Sequence, residues 1–243
     1  MVIGNRLVGG ISAIGICDRV LARRNIKVGD KILMTEGAGG GTITTTAIYS
    51  GNHHVVNETV NIKFLEACEK ILSSDYIDKI HAMCDVTNGG LRGDLYEINY
   101  EANCGVQIYE QKVRSLVNPK VLKMLNQVNV DYLGVSLDAL LIYCSDDIAA
   151  RIIADLNEIS IKCTEIGLVD GSNQVKMIYS EGEHETILPR FRESAYTKIK
   201  QEVGEDEPKS REELEHRVEE AASQALKKRR EIIDFIIKQS SSV

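Results

Sequence analysis

Two apolar runs, each leading through glycines into a helical pattern, constrain the fold of this chain more than any other feature. The first run, Lys31–Thr35, enters the glycine loop Gly37–Thr42 and then a threonine-rich segment. The second run, Ile80–Cys84, enters the segment Asp85–Gly90, and helical spacing follows over 91–102. Short buried strands that turn through glycine into helices are typical of domains that combine a sheet with packed helices.

The other periodic segments continue this pattern along the chain. Helical spacing is present over 61–72, 119–127 and 146–159, and the last of these has a continuous apolar face. Pro119 falls in a first helical turn, where its missing N–H costs least. Four further strands are predicted, at Val106–Tyr109, Ala139–Tyr143, Glu165–Val169 and Val175–Tyr179.

Composition excludes two classes of partner. The formal net charge of −7 gives no basic face for nucleic acid, and with 5% aromatic residues and no Trp the chain lacks stacking platforms for bases. No apolar run approaches the roughly 20 residues that span a bilayer, and the first residues lack the layout of a signal peptide. Six scattered cysteines without a CxxC pair indicate a reducing compartment. We therefore expect a cytoplasmic protein that binds neither nucleic acid nor membrane.

The composition changes from about Gln201. The polar stretch 202–209 contains Gly204 and Pro208 and is typical of a linker. A capping-box pattern, Ser210–Glu213, then begins a predicted amphipathic helix. Its apolar residues follow a 3-4 spacing that Lys228 interrupts, namely Leu214, Val218, Ala221, Ala225, Ile232 and Phe235. This seam requires either a partner or its own domain to pack against.

The glycine loop has two interpretations. Backbone N–H groups at the start of a helix bind anions, and glycines let a phosphate approach them closely. The loop lacks the Gly-Lys-Ser/Thr ending of a P-loop and the spacing of a dinucleotide fold. The alternative is a tight turn without a ligand. Asp85 likewise has two interpretations. Its carboxylate is either a magnesium ligand or a cap of the helix that follows it.

Other residues with reactive side chains are interpreted structurally. His81, His184 and His216 are isolated from one another in the sequence. Cys84, beside Asp85, has no neighbouring base or cation in the sequence, and a small buried residue is the more ordinary role at the end of a strand.

The second loop carries the most specific pattern. Cys84–Leu91 resembles the His-Asp-Val-Thr-Asp-Gly-Gly-Leu signature of the AIR synthase-related superfamily, with Cys in place of His and Asn in place of the second Asp. Val28–Leu33 resembles the entry strand of its C-terminal domain, Glu36–Thr42 its glycine loop, and Glu165–Val169 its closing strand. Pro189–Lys200 resembles an ending of archaeal HypE-like proteins.

This resemblance implies a fold and a division of the chain. The fold is α+β and PurM C-terminal-domain-like, with a mixed β-sheet packed with helices in layers and a C-terminal helical extension. Residues 1–27 are expected to be a remnant of a preceding domain. Residues 28–200 form the AIR synthase-related C-terminal domain, and residues 201–243 form the polar linker and the amphipathic helix.

The resemblance also implies a chemistry. In this superfamily the N-terminal half dimerises and holds magnesium and ATP, while the C-terminal half turns its two loops toward phosphates or substrate. By resemblance Asp85 is the metal-binding residue. The phosphate- or nucleotide-binding residues implied are Gly37, Gly39, Gly40, Gly41, Thr42, Asp85, Thr87, Asn88, Gly89 and Gly90.

Two functions stay open from the sequence. The first is a phosphate- or nucleotide-handling component of an ATP-dependent enzyme or HypE-like maturation factor. ATP and Mg²⁺ are then implied by resemblance only, and the ATP-binding half comes from elsewhere, in a homodimer or a separate AIR synthase N-terminal-type subunit, with a phosphorylated small molecule as a further ligand. The second is a non-enzymatic assembly module that associates through its C-terminal helix.

Overall fold

The computed structural model describes residues 12, 14–86 and 89–188, together with nine residues of the C-terminal region, namely 216, 220, 223, 226, 227, 230, 231, 233 and 234. In this part of the chain the strands are β1 (Lys31–Thr35), β2 (Ile80–Asp85), β3 (Gly105–Tyr109), β4 (Leu140–Cys144), β5 (Cys163–Asp170), β6 (Val175–Ile178) and β7 (His184–Thr186). The helices are α1 (Gly41–Tyr49), α2 (Lys63–Leu72), α3 (Gly90–Ala102), α4 (Glu110–Arg114), α5 (Pro119–Gln127) and α6 (Asp146–Glu158).

The described strands form one mixed sheet in the order β2-β4-β1-β5-β3-β6-β7. Neighbouring strands are antiparallel except β3 and β6, which are parallel. Helices pack on both faces of this sheet, so the α+β prediction of a mixed sheet in layers with helices is confirmed.

Successive side chains of the central strands alternate between two hydrophobic cores, one on each face of the sheet. On β1, Ile32 and Met34 belong to one core cluster, whereas Leu33 belongs to the other. Successive side chains of a strand point to opposite faces, so a strand covered on both sides is apolar throughout. Helices α1, α3, α4 and α5 contribute to the first cluster, and α2 and α6 to the second.

Most elements agree with the sequence predictions to within a few residues. The amphipathic prediction for α6 is confirmed, because Ile148, Ile152 and Leu156 are buried in the second cluster. Helix α5 starts with Pro119, and the Asn118 side chain accepts hydrogen bonds from the next amides. The sequence predicted neither α4 nor β7. Both are short, and the three β7 residues are exposed, so neither has an apolar period to reveal it.

Residues before the predicted domain boundary at 28 cover the outer edge of the sheet. Arg19 donates to the Ile80 carbonyl at 2.9 Å, and the Met83 amide donates to the Leu21 carbonyl at 3.3 Å. Ile26 is buried in the first core cluster. This segment therefore protects edge strand β2, although the assignment of residues 1–27 to a preceding domain stays a prediction.

The described residues of the C-terminal region are helical and exposed, as predicted for a helix there. They include Leu226, which is 52% exposed, and Ile233, which is 42% exposed. The predicted seam residues, the linker and the capping box lie outside the described residues.

One polar pair lies inside the domain. His81 Nδ1 is 2.9 and 2.8 Å from the two carboxylate oxygens of Asp30, and both side chains are buried. Asp30 precedes β1 and His81 lies on β2, and both strands pair with β4 near Cys144. The sheet thus places His81 against a carboxylate that lies 51 positions away in the sequence.

Candidate functional site

The first two glycines of the glycine loop, Gly37 and Gly39, use their amides in hydrogen bonds within the domain. The Gly37 amide donates to the Leu116 carbonyl at 3.0 Å, and the Gly39 amide donates to the Leu137 carbonyl at 2.8 Å. A Cβ atom on Gly37 would lie 2.5 Å from the Leu137 carbonyl oxygen. These glycines allow backbone segments to pack closely, so their amides are not available to a ligand in this conformation.

The next three residues differ. Gly40 is the N-cap of α1, and the amides of Gly40, Gly41 and Thr42 have no hydrogen-bond acceptor among the residues that the structure describes. A Cβ atom on Gly41 would meet nothing within 4 Å, so packing does not explain glycine there. Free amides at a helix start, with the positive end of the helix dipole, are suited to an anion.

The second predicted segment is described only in part, because Thr87 and Asn88 lie outside the described residues. Asp85 ends β2 opposite Leu140 and is half-buried. The N-cap of α3 is Gly89, at a φ of 95°, and no side chain of the described residues caps this helix. The interpretation of Asp85 as a helix cap is therefore wrong, because the strand continues through Asp85 and the helix begins only at Gly90.

Gly90 is held against another loop. It has a φ of 61°, and a Cβ atom on it would lie 2.4 Å from the Leu133 carbonyl oxygen and 2.5 Å from the Val135 amide nitrogen. Only glycine adopts this conformation at such a distance without displacing backbone. The structure thus gives Gly90 a packing role, and its predicted role in phosphate binding remains a prediction.

A single connection, residues 133–139, contacts both predicted loops. Its Leu137 carbonyl accepts from Gly39, and its Leu137 amide donates to the Val86 carbonyl at 3.2 Å. Ser136 Oγ donates to the same Val86 carbonyl at 3.1 Å. The glycine loop and the segment after β2 are therefore held on one scaffold.

This connection also brings in a carboxylate that the sequence analysis missed. Asp138 is exposed and has a φ of 50°. Ser136 Oγ donates to Asp138 Oδ1 at 3.0 Å, and Oδ2 would lie 2.4 Å from a Cβ atom on Gly40. An aspartate before a buried strand carries no motif, so only the folded chain reveals that it lies beside the free amides of α1.

The residues described hold no ready-made metal cluster. No group of three or more His, Cys, Asp or Glu side chains is placed to bind an ion within this part of the chain. Asp85 ends β2, and Asp138 lies on the connection that supports both loops. Magnesium commonly uses one or two protein carboxylates together with substrate phosphates, so such a ligand set suits magnesium only with a phosphate present.

Cys84 occupies the position where the family signature has His. Burial raises the pKa of its thiol to about 12, although Arg23 lies close enough to oppose this shift. Arg23 donates a hydrogen bond to Asp94 at 2.9 Å. The buried hydroxyl of Tyr143, which lies near Cys84, has no hydrogen-bond partner in the described part of the chain. At neutral pH the thiol is protonated, which supports a packing role and argues against a nucleophile.

Thiol labelling tests this assignment. Burial also raises the pKa of Cys144 and Cys163 to about 12, whereas Cys17 is exposed. At about pH 8 we expect a thiol reagent to modify Cys17 rapidly and Cys84 only after unfolding, because the reagent needs an accessible thiolate. Peptide mass spectrometry with and without urea measures this order. Rapid native modification of Cys84 would contradict it.

Comparison with known proteins agrees with this architecture. Residues 27–180 match the family model described as AIR synthase related protein, C-terminal domain. The chain therefore belongs to this family, of which it contains the C-terminal domain.

Two curated relatives extend the comparison. An uncharacterized protein of Methanocaldococcus jannaschii is 46% identical over 98% of this chain and 51% of its own length. A selenide, water dikinase of Pelobacter propionicus is 29% identical over 41% of this chain and 29% of its own. The chain thus spans about half the length, or less, of the curated relatives that it matches.

Solved structures share the fold. A structure of the hydrogenase maturation protein HypE has a TM-score of 0.59 and 21% identity over 74% of this chain and 58% of its own. HypE in complex with ATP has a TM-score of 0.56 and 20% identity over 72% of this chain and 54% of its own. These similarities support the PurM C-terminal-like fold.

Among the described residues, no helix combines the length and the apolar character needed to cross a membrane.

Proposed function

We propose that this chain is the phosphate-facing half of an ATP-dependent, AIR synthase-related enzyme or HypE-like maturation factor. The observation that carries the proposal is the head of α1, where the free amides of Gly40, Gly41 and Thr42 lie beside the Asp138 carboxylate. Amides of this kind favour the oxygens of a phosphate. Phosphoryl transfer depends mainly on positioning and charge stabilisation, which such a loop supplies.

The sign of the charges favours a phosphate that arrives with a cation. Asp138 by itself would repel an anion from Gly40, because two negative charges at close range interact unfavourably. Magnesium, when bound, neutralises phosphate oxygens and bridges them to carboxylates. Asp138 and Asp85 are the residues that would hold it, while the amides at the head of α1 would hold the phosphate.

The ATP-binding half is proposed to come from elsewhere. The chain covers about half of its Methanocaldococcus jannaschii relative, which has room for a second domain. HypE, solved with ATP and also in a complex with HypF, offers a precedent for nucleotide binding and for partner proteins in this fold. We propose a homodimer or a separate N-terminal-type subunit as the partner, in the cytoplasm, with a phosphorylated small molecule as a second ligand.

The decisive experiment is calorimetry with magnesium and ATP, using the full chain alone and together with the part of the Methanocaldococcus jannaschii relative that this chain does not match. We expect binding only when both polypeptides are present. Gly41→Val should weaken that binding at least about tenfold, because its side chain would cover the free amides, while its Cβ atom has no protein atom within 4 Å.

The matched control is Gly171→Val, another exposed glycine whose Cβ position is open and which lies in the β5–β6 turn. Both variants should unfold within about 0.5 kcal/mol of the parent. Equal ATP affinity for the Gly41→Val and Gly171→Val proteins would remove α1 from the nucleotide site.

The second candidate function is an assembly module without ATP chemistry. The exposed Leu226 and Ile233 favour it, because they are seven residues apart and so lie on one side of a helix. The same calorimetry separates the two functions, since an assembly module would bind no nucleotide, either alone or together with the second polypeptide.

A further inference from the structure

A polar cavity of about 440 Å³ is lined by none of the residues at the head of α1. Its walls come from the first turn of α3, from α4, from the end of α5 with the residues that follow it, and from the segment after β6. The side chains that matter for its chemistry are Arg92, Glu110, Arg114, Asn126, Asn129 and Asp131. None of these was singled out by the sequence patterns.

One wall is fixed by a buried arginine. The Arg92 side chain is 5% exposed, and its Nε donates to Asp131 Oδ2 at 2.8 Å. Asp131 Oδ1 also accepts from the Leu133 amide at 3.1 Å. A forked guanidinium held in this way keeps its remaining N–H groups in a fixed direction, which suits recognition of a carboxylate.

Another part of the lining is built on a buried glutamate. Arg114 Nε donates to Glu110 Oε1 at 2.7 Å, and the Tyr132 hydroxyl donates to the same oxygen at 2.7 Å. The Arg114 guanidinium lies over the Tyr132 ring, 5.0 Å from its centroid. These contacts converge on Oε1, which leaves Glu110 Oε2 as the oxygen not used by them.

The charges of the lining select the kind of ligand. Two arginines face two carboxylates, so the lining is neutral and a dianion or a simple cation would each meet a like charge. Asn126 lies in the last turn of α5 and Asn129 follows that helix, whose dipole favours a positive group at this end. The complementary ligand therefore carries a negative group, which the arginines attract, and a positive group, which the C-terminal end of α5 attracts.

We propose that this cavity binds a small zwitterion of the amino-acid class. Its carboxylate would be held by the guanidinium groups of Arg114 and Arg92, and its ammonium by Glu110 and the amide oxygen of Asn126. The Leu133 that lines this cavity carries the carbonyl packed against Gly90. A ligand here would thus lie against the connection that supports both predicted phosphate loops.

The test uses the full chain, labelled with ¹⁵N, and a panel of single L-amino acids. Binding with a dissociation constant below about 1 mM is expected for at least one of them, with shifts confined to the amides of residues 126–133 and the first turn of α3. Inorganic phosphate and methylammonium serve as probes that carry only one of the two charges. Both should bind at least about tenfold more weakly.

Two exposed positions supply the variants. Arg114→Gln and Asn126→Ala should each weaken binding at least about fivefold. Asn126→Ala should leave the unfolding midpoint unchanged, whereas Arg114→Gln should also lower it, because it removes the ion-pair partner of the buried Glu110. Arg151→Gln is the matched control, because Arg151 also pairs with a carboxylate, Asp75, and lies 4.8 Å from the Tyr76 ring centroid, but outside the cavity.

Three results would overturn the proposal. They are an absence of shifts with any amino acid up to about 10 mM, tighter binding of phosphate than of every amino acid, and equal loss of affinity in the Arg114→Gln and Arg151→Gln proteins. The proposal does not depend on ATP binding at α1, so it can fail or hold independently of the proposed function.

Discussion

Replacing Gly90 with alanine is expected to lower the free energy of unfolding by about 2–6 kcal/mol. Its φ of 61° alone costs a residue with a side chain about 1–3 kcal/mol. The new methyl group would also lie 2.4–2.6 Å from backbone atoms of Leu133, Gly134 and Val135, and overpacking of this kind costs about another 1–3 kcal/mol. Urea unfolding followed by circular dichroism measures the sum.

The neighbouring glycine separates the two causes. Gly89 also has a positive φ, of 95°, but a Cβ atom on it would lie no closer than 3.5 Å to another atom, the Gly93 Cα. Gly89→Ala should therefore show only the conformational cost of about 1–3 kcal/mol. If both variants lose the same stability, the close approach of the 133–135 backbone to Gly90 contributes nothing, and this account of Gly90 fails.

Removal of the Asp30 carboxylate should have a comparable effect. Asp30 contacts His81 Nδ1 through both oxygens and accepts from the Lys27 amide at 2.9 Å. Asp30→Ala would leave a buried imidazole and a backbone N–H without their acceptor. Breaking a buried pair by removing one partner costs about 3–5 kcal/mol, so we expect a loss in this range in urea unfolding.

Two controls define what the carboxylate contributes. Asp30→Asn keeps an acceptor oxygen at the site and should lose less than half as much stability as Asp30→Ala. Asp75→Ala removes a carboxylate from the exposed pair with Arg151, which is worth about 0–1 kcal/mol. A loss for Asp30→Ala no larger than for Asp75→Ala would show that the buried contact with His81 does not stabilise the fold.

The local elements were largely readable from the sequence because each has a simple physical period. Lys31–Thr35 and Ile80–Cys84 are apolar runs too short for helices, and the structure places strands at both. The 3-4 spacing in α6 reflects one buried face. By contrast, β7 is three exposed residues, whose pairing with β6 depends on the turn between them and not on a pattern of their own.

The candidate site was only partly readable. The glycine loop was found, but the sequence treats its glycines alike, whereas the structure separates Gly37 and Gly39, which serve packing, from Gly41, which packing leaves unexplained. Asp138 had no signal, since it is close to Gly40 only after the connection before β4 folds back. Residues of this kind become neighbours through long-range contacts, which no local spacing encodes.

By itself the sequence determined the family, the order of the strands and helices other than α4 and β7, and the position of two glycine turns, because apolar periodicity and glycine act locally along the chain. Only the tertiary structure decided which backbone amides remain free, which carboxylates face them, and that Asp30 meets His81 and Arg92 meets Asp131. Hydrogen bonds and charges depend on distances of a few ångströms between residues far apart in the chain, and those distances exist only in the packed domain.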